Sequence, residues 1–230
     1  MKALDVLSLL LPVAVNTLPN DIMPVYCVDV YRRGSGHSGV YTIYPAGTSC
    51  EDQPEGGKWT VIQERKDGTV NFYHEWDQYR SGFGQSSGEY WLGKKNTHLL
   101  TQRKKYELRV HLEDFEGAKA HMQYSPFSVH SEHEGYKLHL SGFKDGGAGK
   151  SMDKHNGQKF STFDKDQGTH ASNGAKSYLG GWWYGECHSV NPNGVYLWGD
   201  SIYGIGIIWM YWKGYKYSLN AIEMKIRPVV

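Results

Sequence analysis

The sequence predicts an α+β fold in which short strands outnumber helices. Glycine, tyrosine and tryptophan are abundant, at 28, 17 and 8 of 230 residues, and they are set among many short apolar runs. This composition is typical of a turn-rich, strand-dominated protein with recognition surfaces, and not of a helical bundle. Several segments also alternate apolar and polar residues with a period of two, as strands with one buried face do.

Four segments carry the strand pattern. In the clearest, Tyr106, Leu108 and Val110 alternate with charged residues. The other three are 58–63, 136–140 and 222–227. Because the last of these lies at the C-terminus, we expect the chain to end in a strand that returns to the main sheet. Asp67-Gly68 comes shortly after the 58–63 segment and predicts a hairpin turn.

Two stretches predict helices, at 73–79 and from 89 to about 102. Beyond residue 141 regular alternation fades and glycines become frequent, which indicates a loop-rich subdomain over about 141–217. Apolar strand residues reappear at its end, so we expect this subdomain to belong to one domain that spans 19–230.

The N-terminus carries a targeting signal. Residues 1–18 combine a short positive start with an apolar run of signal-peptide length, which predicts secretion to the extracellular space or matrix. Asp5 and Pro12 interrupt the run, and a buried N-terminal strand or helix is the alternative. No later segment has the roughly 18 apolar residues of a membrane span.

The charge of the chain gives no support for two classes of partner. Twenty-five basic and 24 acidic residues leave a net charge of +1, and no run of one sign stands out. A binding site for nucleic acid or an anionic membrane is therefore not expected from charge.

If the protein is secreted, its three cysteines are in an oxidising compartment and can form disulfides. Cys27 and Cys50 can close a loop of about two dozen residues, worth roughly 3 kcal/mol in the chain-entropy model. Cys187 then has no partner. It is either buried and inert or available for intermolecular pairing, and the tryptophans before it favour burial.

The segment 163–215 is the candidate recognition site. Asp164 and Asp166 lie one residue apart before small and polar residues, a pattern that can fold around a hard cation, although a solvated turn is the alternative. An EF-hand is excluded because Thr169 and Ala175 occupy its sixth and twelfth positions. Many aromatic residues follow, interleaved with glycine.

Ordered motifs along the chain resemble the fibrinogen-related domains, the C-terminal modules of fibrinogen chains, ficolins, tachylectins and angiopoietins. The matching segments are 38–45, 56–61, 67–73, 88–93, 105–110, 114–117, 155–162, 191–196 and 212–215. They include Asp114-Phe115-Glu116-Gly117 and Trp212-Lys213-Gly214-Tyr215. The resemblance implies a central antiparallel sheet, short helices and a loop-rich calcium and ligand subdomain.

The resemblance also implies a Ca²⁺ site. The family's calcium loop uses two aspartate side chains and two backbone carbonyls. These positions correspond to Asp164, Asp166 and the carbonyls of Gly168 and His170, with waters completing the shell.

An acetyl-binding pocket is the second implication. In the lectin members of the family an aromatic cage holds an acetyl group, whose oxygen accepts from backbone N–H groups at a cis peptide. That cis bond corresponds to Glu186-Cys187. The residues expected to form the cage are Tyr178, Tyr203 and Tyr215, with His188 beside them and Gly204 as the floor.

The chain departs from the family at two places. Gly174 stands where relatives carry the cysteine that pairs with the residue at 187, so the disulfide that braces the pocket loop is absent. Losing such a link typically costs 2–5 kcal/mol. The segment between Pro45 and Cys50 is also short, which can shift Cys50 relative to Cys27.

Three functions compete. The first is a secreted, calcium-dependent, lectin-like protein that binds acetylated carbohydrates such as N-acetylglucosamine, in innate immunity or the matrix. The second is an adaptor for extracellular-matrix fibre proteins in cell adhesion, and a homo-oligomer is compatible with either. The third is a hydrolase, but 84–88 matches a nucleophile-elbow pattern without a leading apolar strand, so no catalysis is expected. The histidines of 130–134 are interpreted as a solvated loop rather than a zinc site.

Overall fold

In a computed structural model of the protein, the described residues are 24, 26–34, 37–43, 47–51 and 58–229. The predicted signal peptide at 1–18 lies outside them. The helices are α1 (Cys27–Arg32), α2 (Trp76–Ser81), α3 (Lys94–Thr101), α4 (Gly174–Tyr178) and α5 (Met210–Lys213), with 3₁₀ turns at Glu132–Glu134 and Asp153–His155.

The strands of the main sheet are β1 (Gly39–Thr42), β2 (Gly47–Glu51), β3 (Trp59–Arg65), β4 (Phe83–Gly84), β5 (Tyr90–Trp91), β6 (Tyr106–Glu113), β7 (Lys119–Val129), β8 (Leu138–Leu140), β9 (Lys144–Gly146) and β14 (Ala221–Pro228). Two small ribbons complete the described part of the chain: β10 (Val190–Asn191) pairs with β12 (Ile208–Trp209), and β11 (Gly199–Asp200) pairs with β13 (Tyr217–Ser218).

The C-terminal strand lies at the centre of the main sheet, which confirms that the chain returns to it. The order is β1-β2-β3-β14-β6-β7-β8, and every strand pair in it is antiparallel. Met224 lies opposite Val110 on β6 and Gln63 on β3. Because all three side chains are completely buried, the alternation seen in the sequence reflects the face that packs into the core.

The predicted helix at 89–102 is wrong at its N-terminal end, since α3 begins only at Lys94. Glu89 is buried, and its carboxylate pairs with Arg65 and accepts hydrogen bonds from the backbone N–H groups of Lys66 and Gly68. This buried carboxylate organises the turn after β3. Asp67-Gly68 therefore leads into a loop around Glu89 and not into the predicted hairpin.

The predicted helix at 73–79 is displaced towards the C-terminus. Helix α2 begins at Trp76, after an N-cap at Glu75 whose backbone N–H donates to the side-chain oxygen of Gln78 at 3.3 Å. Among the described residues no helix has the length and apolar character needed to cross a bilayer.

The cysteines differ in state. Cys27 is completely buried and disulfide-bonded, whereas Cys187 is free and half-buried, so the expected burial of Cys187 is only partial. The side chain of Cys50 lies outside the described residues, and its pairing with Cys27 stays a prediction.

Candidate functional site

Helix α4 positions the first of the predicted cage residues. Asn173 is its N-cap: the side-chain oxygen accepts from the N–H of Lys176 at 3.0 Å, and the side-chain amide donates to the carbonyl of Thr162 at 3.1 Å. The same side chain thus starts the helix and attaches it to the loop that carries the two aspartates. Tyr178 is the last residue of α4.

The four predicted ring residues come together in a continuous arc. The ring centroids of Tyr178 and His188 are 4.3 Å apart, those of His188 and Tyr215 are 5.8 Å apart, and those of Tyr215 and Tyr203 are 4.7 Å apart. The Tyr215 hydroxyl also donates to the carbonyl of His188 at 3.0 Å. Tyr203 is 54% exposed, so the arc opens to solvent at that end.

Gly204 lies directly against this arc. Its φ is +78°, and an added Cβ would lie 2.8 Å from the Tyr178 ring and 3.1 Å from Nε2 of His188. Its N–H donates to the carbonyl of Tyr215 at 2.8 Å. Only glycine fits this position without strain, because it needs a left-handed backbone and close approach of two rings.

Asn191 joins the segments that carry the arc, a role that the sequence interpretation missed. Its side-chain amide donates to the carbonyls of Tyr178 at 2.9 Å and Gly204 at 3.2 Å. Its side-chain oxygen accepts from the Tyr184 hydroxyl at 2.7 Å. Asn191 is completely buried. Its place in the family-like motif 191–196 was the signal that could have identified it.

His155 anchors the backbone that follows His188 and was also missed. Its Nδ1 donates to the carbonyl of Trp183 at 2.8 Å, and its Nε2 accepts from the N–H groups of Ser189 at 3.1 Å and Val190 at 3.2 Å. Burial lowers the pKa of His155 to about 4. The ring is therefore neutral near pH 7, as this pattern of one donor and one acceptor requires.

His188 is a buried imidazole. It is 4% exposed, both ring nitrogens are shielded from solvent, and the backbone of Gly204 is within hydrogen-bonding reach of the ring. Burial, together with the nearby His155, lowers the pKa of His188 to about 3. A neutral ring with one donor and one acceptor thus lies beside Gly204.

The predicted cis bond between Glu186 and Cys187 is wrong, because Ser125-Pro126 is the cis bond of the described residues and Glu186-Cys187 is trans. Cys187 has a φ of +64° instead. A cis bond before a residue other than proline costs about 3 kcal/mol and persists only when its surroundings enforce it. Here no disulfide holds Cys187, and Glu186 is exposed.

The free thiol of Cys187 has a local partner. A hydrogen bond between Tyr178 and Cys187 is the main reason that the pKa of Tyr178 is raised to about 12. Burial of Tyr178 acts in the same direction. The thiol and one wall of the arc are thus in direct contact.

Gly174 shows how the fold adapts to the missing cysteine. A Cβ at Gly174 would lie 2.9 Å from Cγ of the Tyr184 ring. Tyr184 is buried, so it occupies the space into which a side chain at this position would project.

The predicted metal-binding aspartates both lie on an exposed loop. The carboxylate of Asp164 accepts from the N–H of Trp76 at 3.0 and 3.2 Å. Oδ1 of Asp166 accepts from the N–H of Gly168 at 3.0 Å. No group of three or more metal-binding side chains occurs among the described residues, and the predicted set needs only two, since its other oxygens are carbonyls.

The two carbonyl positions have distinct surroundings. Nδ1 of the His170 ring bonds to Ser172, and the predicted ligand at this position is the backbone oxygen of His170. Neither that carbonyl nor the one of Gly168 accepts a backbone hydrogen bond within the described residues. Two carboxylates and two unused carbonyls form the hard-oxygen donor set that suits Ca²⁺.

The loop also contacts the chain that leads to the arc. An added Cβ on Gly168 would lie 3.3 Å from the carbonyl oxygen of Tyr184. The aspartate loop therefore packs directly against the segment that precedes Cys187.

The two weaker sequence signals lie in a hairpin turn and on an open surface. Ser86 lies in the turn between the paired strands β4 and β5, and a nucleophile elbow needs a strand-to-helix turn. His130 bonds to Glu134 at 2.9 Å on an open surface.

Comparison with known proteins identifies the relatives of this chain. The family model described as the C-terminal globular domain of fibrinogen beta and gamma chains matches residues 23–229. Microfibril-associated glycoprotein 4 of Bos taurus is 50% identical over 217 residues, covering 89% of this chain and 85% of the relative. The Homo sapiens protein of that name is 50% identical over 216 residues, with the same coverage.

More distant relatives and solved structures also carry fibrinogen or fibrin in their names. Fibrinogen C domain-containing protein 1 of Homo sapiens is 46% identical over 88% of this chain and 46% of the relative. The fibrinogen-like globe domain of human ANGPTL6 is 40% identical, with a TM-score of 0.86 over 92% of this chain and all of that chain. Lamprey fibrin D-dimer complexed with the peptide Gly-His-Arg-Pro-amide is 34% identical, with a TM-score of 0.86 over 91% of this chain and 74% of that chain.

Proposed function

Because this chain belongs to the family of fibrinogen C-terminal globular domains, we propose that it is a secreted recognition protein that binds acetylated carbohydrates such as N-acetylglucosamine. One observation carries the proposal: four rings form a continuous arc, and two of them lie against a glycine. The arc runs through Tyr178, His188, Tyr215 and Tyr203. Tyr178 and His188 lie against Gly204, and the arc is open to solvent at Tyr203.

The chemistry of the arc suits an acetamido group. A methyl group that leaves water for the ring faces gains about 0.8 kcal/mol. The amide of that group needs polar partners, and the neutral imidazole of His188 carries one donor and one acceptor beside Gly204. The backbone N–H of His188 donates no hydrogen bond within the described residues and is a second candidate donor. The trans bond at Glu186-Cys187 therefore removes the predicted cis geometry but not the donors.

Calcium is part of the proposal. Asp164, Asp166 and the carbonyls of Gly168 and His170 would hold the ion, which would supply positive charge that fixes the loop. Two contacts support a coupling between this loop and the arc. Asn173 attaches the loop to helix α4, which ends at Tyr178, and Gly168 packs against the segment before Cys187.

A matrix adaptor is the second candidate. Two relatives that are 50% identical to this chain are named microfibril-associated glycoproteins, which supports an extracellular role with matrix fibre proteins as partners. This function does not need the arc.

Calorimetric titration of N-acetylglucosamine into calcium-loaded and calcium-stripped protein tests the first function. We expect heat of binding only with calcium, and none from glucosamine, which lacks the acetyl group. Tyr203→Ala should weaken binding, and Tyr211→Ala, another exposed aromatic at 57%, is the control. Matrix binding that persists in excess N-acetylglucosamine and in Tyr203→Ala, with no heat from the sugar, would favour the adaptor.

A further inference from the structure

Four side chains that can bind a metal ion lie in one row across the main sheet. His121 on β7 lies opposite His111 on β6. Glu223 on β14 lies opposite His111 on one side and opposite Glu64 of β3 on the other. Directly opposed residues of antiparallel strands have Cβ atoms about 5 Å apart and share a face. The row therefore brings two imidazoles and two carboxylates to neighbouring positions.

The row lies on the face of the sheet that is turned away from the core. Its four members are half-buried, whereas the residues before and after each of them along the strands are buried. Val110 and Leu112, for example, flank His111 and belong to the hydrophobic core. Because alternate residues of a strand share a face, the four side chains point to the outer face together.

The two imidazoles already lie side by side. Their ring centroids are 5.9 Å apart, and the ring planes differ by 26°. Two imidazoles that bind one tetrahedral zinc ion, at the usual Zn–N distance of about 2.0–2.1 Å, have centroids roughly 5 Å apart. The rings of His111 and His121 are therefore within about 1 Å of the spacing that a shared ion needs.

Gly146 of β9 restricts the ring of His121. An added Cβ at Gly146 would lie 2.4 Å from both Cε1 and Nε2 of His121. The ring thus occupies the space that a side chain at position 146 would fill. Gly146 does not have a left-handed backbone, so the close approach of the ring explains a glycine at this position.

A cleft of about 330 Å³ lies over the row, and all four members of the row line it. Its three carboxylates each pair with a lysine: Glu64 with Lys66 at 3.3 Å, Glu113 with Lys119 at 3.1 Å and Glu223 with Lys225 at 2.6 Å. Because these charges cancel, a hard cation such as Ca²⁺ gains little here. Imidazole nitrogens instead favour a borderline transition ion such as Zn²⁺.

We propose that His111 and His121 form a binding site for a divalent transition ion of the Zn²⁺ class, with Glu223 as the third ligand. No three metal-binding side chains are gathered at one point among the described residues, so binding requires the Glu223 side chain to turn towards His111. A carboxylate has two oxygens, so Glu223 can keep Lys225 through one oxygen and bind the ion through the other.

The bound ion would cross-link β6, β7 and β14. Its fourth position would remain for water or for a donor atom of a partner. The site is separate from the arc and from the aspartate loop, and it does not rest on the proposed function.

Calorimetric titration of zinc chloride into the protein in excess calcium chloride tests the site. We expect one Zn²⁺ to bind per chain. His111→Gln and His121→Gln should each weaken that binding by roughly tenfold or more, since each removes a ligand. Glu223→Gln, which keeps an oxygen for Lys225, should weaken it as well. His139→Gln removes an exposed histidine from β8, and this control should bind Zn²⁺ as the unmodified protein does.

Thermal unfolding is a second readout and also shows whether each variant is folded. Zn²⁺ should raise the melting temperature of the unmodified protein and of His139→Gln, but not that of His121→Gln. If the unmodified protein binds no Zn²⁺, or if both histidine variants bind it equally well, the inference is wrong. If His133→Gln abolishes binding instead, the ion is held by the loop 130–134 and the row is not a site. Unchanged binding in Glu223→Gln would overturn the assignment of the third ligand.

Discussion

Nε2 of His155 accepts a hydrogen bond from the backbone N–H of Ser189 at 3.1 Å, so one neutral imidazole fixes the chain immediately after His188. This contact predicts how the protein responds to acid. Burial lowers the pKa of His155 to about 4 from an ordinary value of 6.5. Between these values the unfolded chain binds a proton at this position and the folded chain does not.

The free energy of unfolding should therefore fall as pH is lowered from 6.5 to 4, by about 3 kcal/mol from His155 alone. The depressed pKa of His188 adds to the loss in the same direction. Urea titrations at several pH values across this window measure it. His155→Gln should flatten the dependence, and His139→Gln, on an exposed position of β8, should not. A stability that does not change over the window contradicts the assignment.

Gly204→Ala should abolish sugar binding. The substitution strains a backbone with a φ of +78° and drives a Cβ to 2.8 Å from the Tyr178 ring. Gly117→Ala is the control, because Gly117 has a φ of +82°, nothing within 4 Å of an added Cβ, and a position away from the arc. Both variants should lose about 1 kcal/mol of stability from the left-handed backbone. Thermal unfolding and calorimetry should show the additional loss, and the loss of binding, in Gly204→Ala only.

Asn191→Ala should destabilise the protein by about 3 kcal/mol, because it leaves several buried carbonyls and the Tyr184 hydroxyl without their partner. Chemical denaturation measures the change. Asn96→Ala removes a bond of similar length, 2.8 Å to the Leu92 carbonyl, at a partly exposed site and should cost about 1 kcal/mol or less. Equal effects of the two substitutions would show that Asn191 does not join the segments of the arc.

Calcium should stabilise the protein through Asp166. At a concentration about 100 times the dissociation constant, the ion should raise the free energy of unfolding by about 3 kcal/mol. Asp166→Asn should remove the rise in melting temperature. Asp145→Asn is its control, because Asp145 accepts from the N–H groups of Gly147 and Gly149 in a comparable turn outside the aspartate loop. If calcium still raises the melting temperature of Asp166→Asn, the ion binds elsewhere.

The strands illustrate what local pattern can predict. The alternation at Tyr106–Glu113 and in the C-terminal segment matches β6 and β14, because one face of each strand is in the core and period two follows from strand geometry. The helix predicted from residue 89 was wrong at Glu89. A buried carboxylate held by Arg65, 24 positions away, decides that this segment is a turn and strand instead of a helix.

The candidate site was also predicted only in part. The family motifs identified the rings of Tyr178, His188, Tyr203 and Tyr215, and the fold brings all four together. Asn191 and His155 lie in the family-like motifs 191–196 and 155–162, but the motifs did not show that these two side chains are buried hydrogen-bonding groups. The motifs also predicted that the Glu186-Cys187 bond is cis, whereas it is trans in this structure.

The sequence by itself determined the fold family, the strands whose alternation marks a buried face, and the ring residues of the arc, because these depend on side-chain type and order along the chain. Only the tertiary structure decided that Asn191 and His155 hold the segments of the arc and that Tyr184 fills the space beside Gly174. These features depend on which distant groups meet in space, and a buried hydrogen bond is stabilising only when both partners arrive there together.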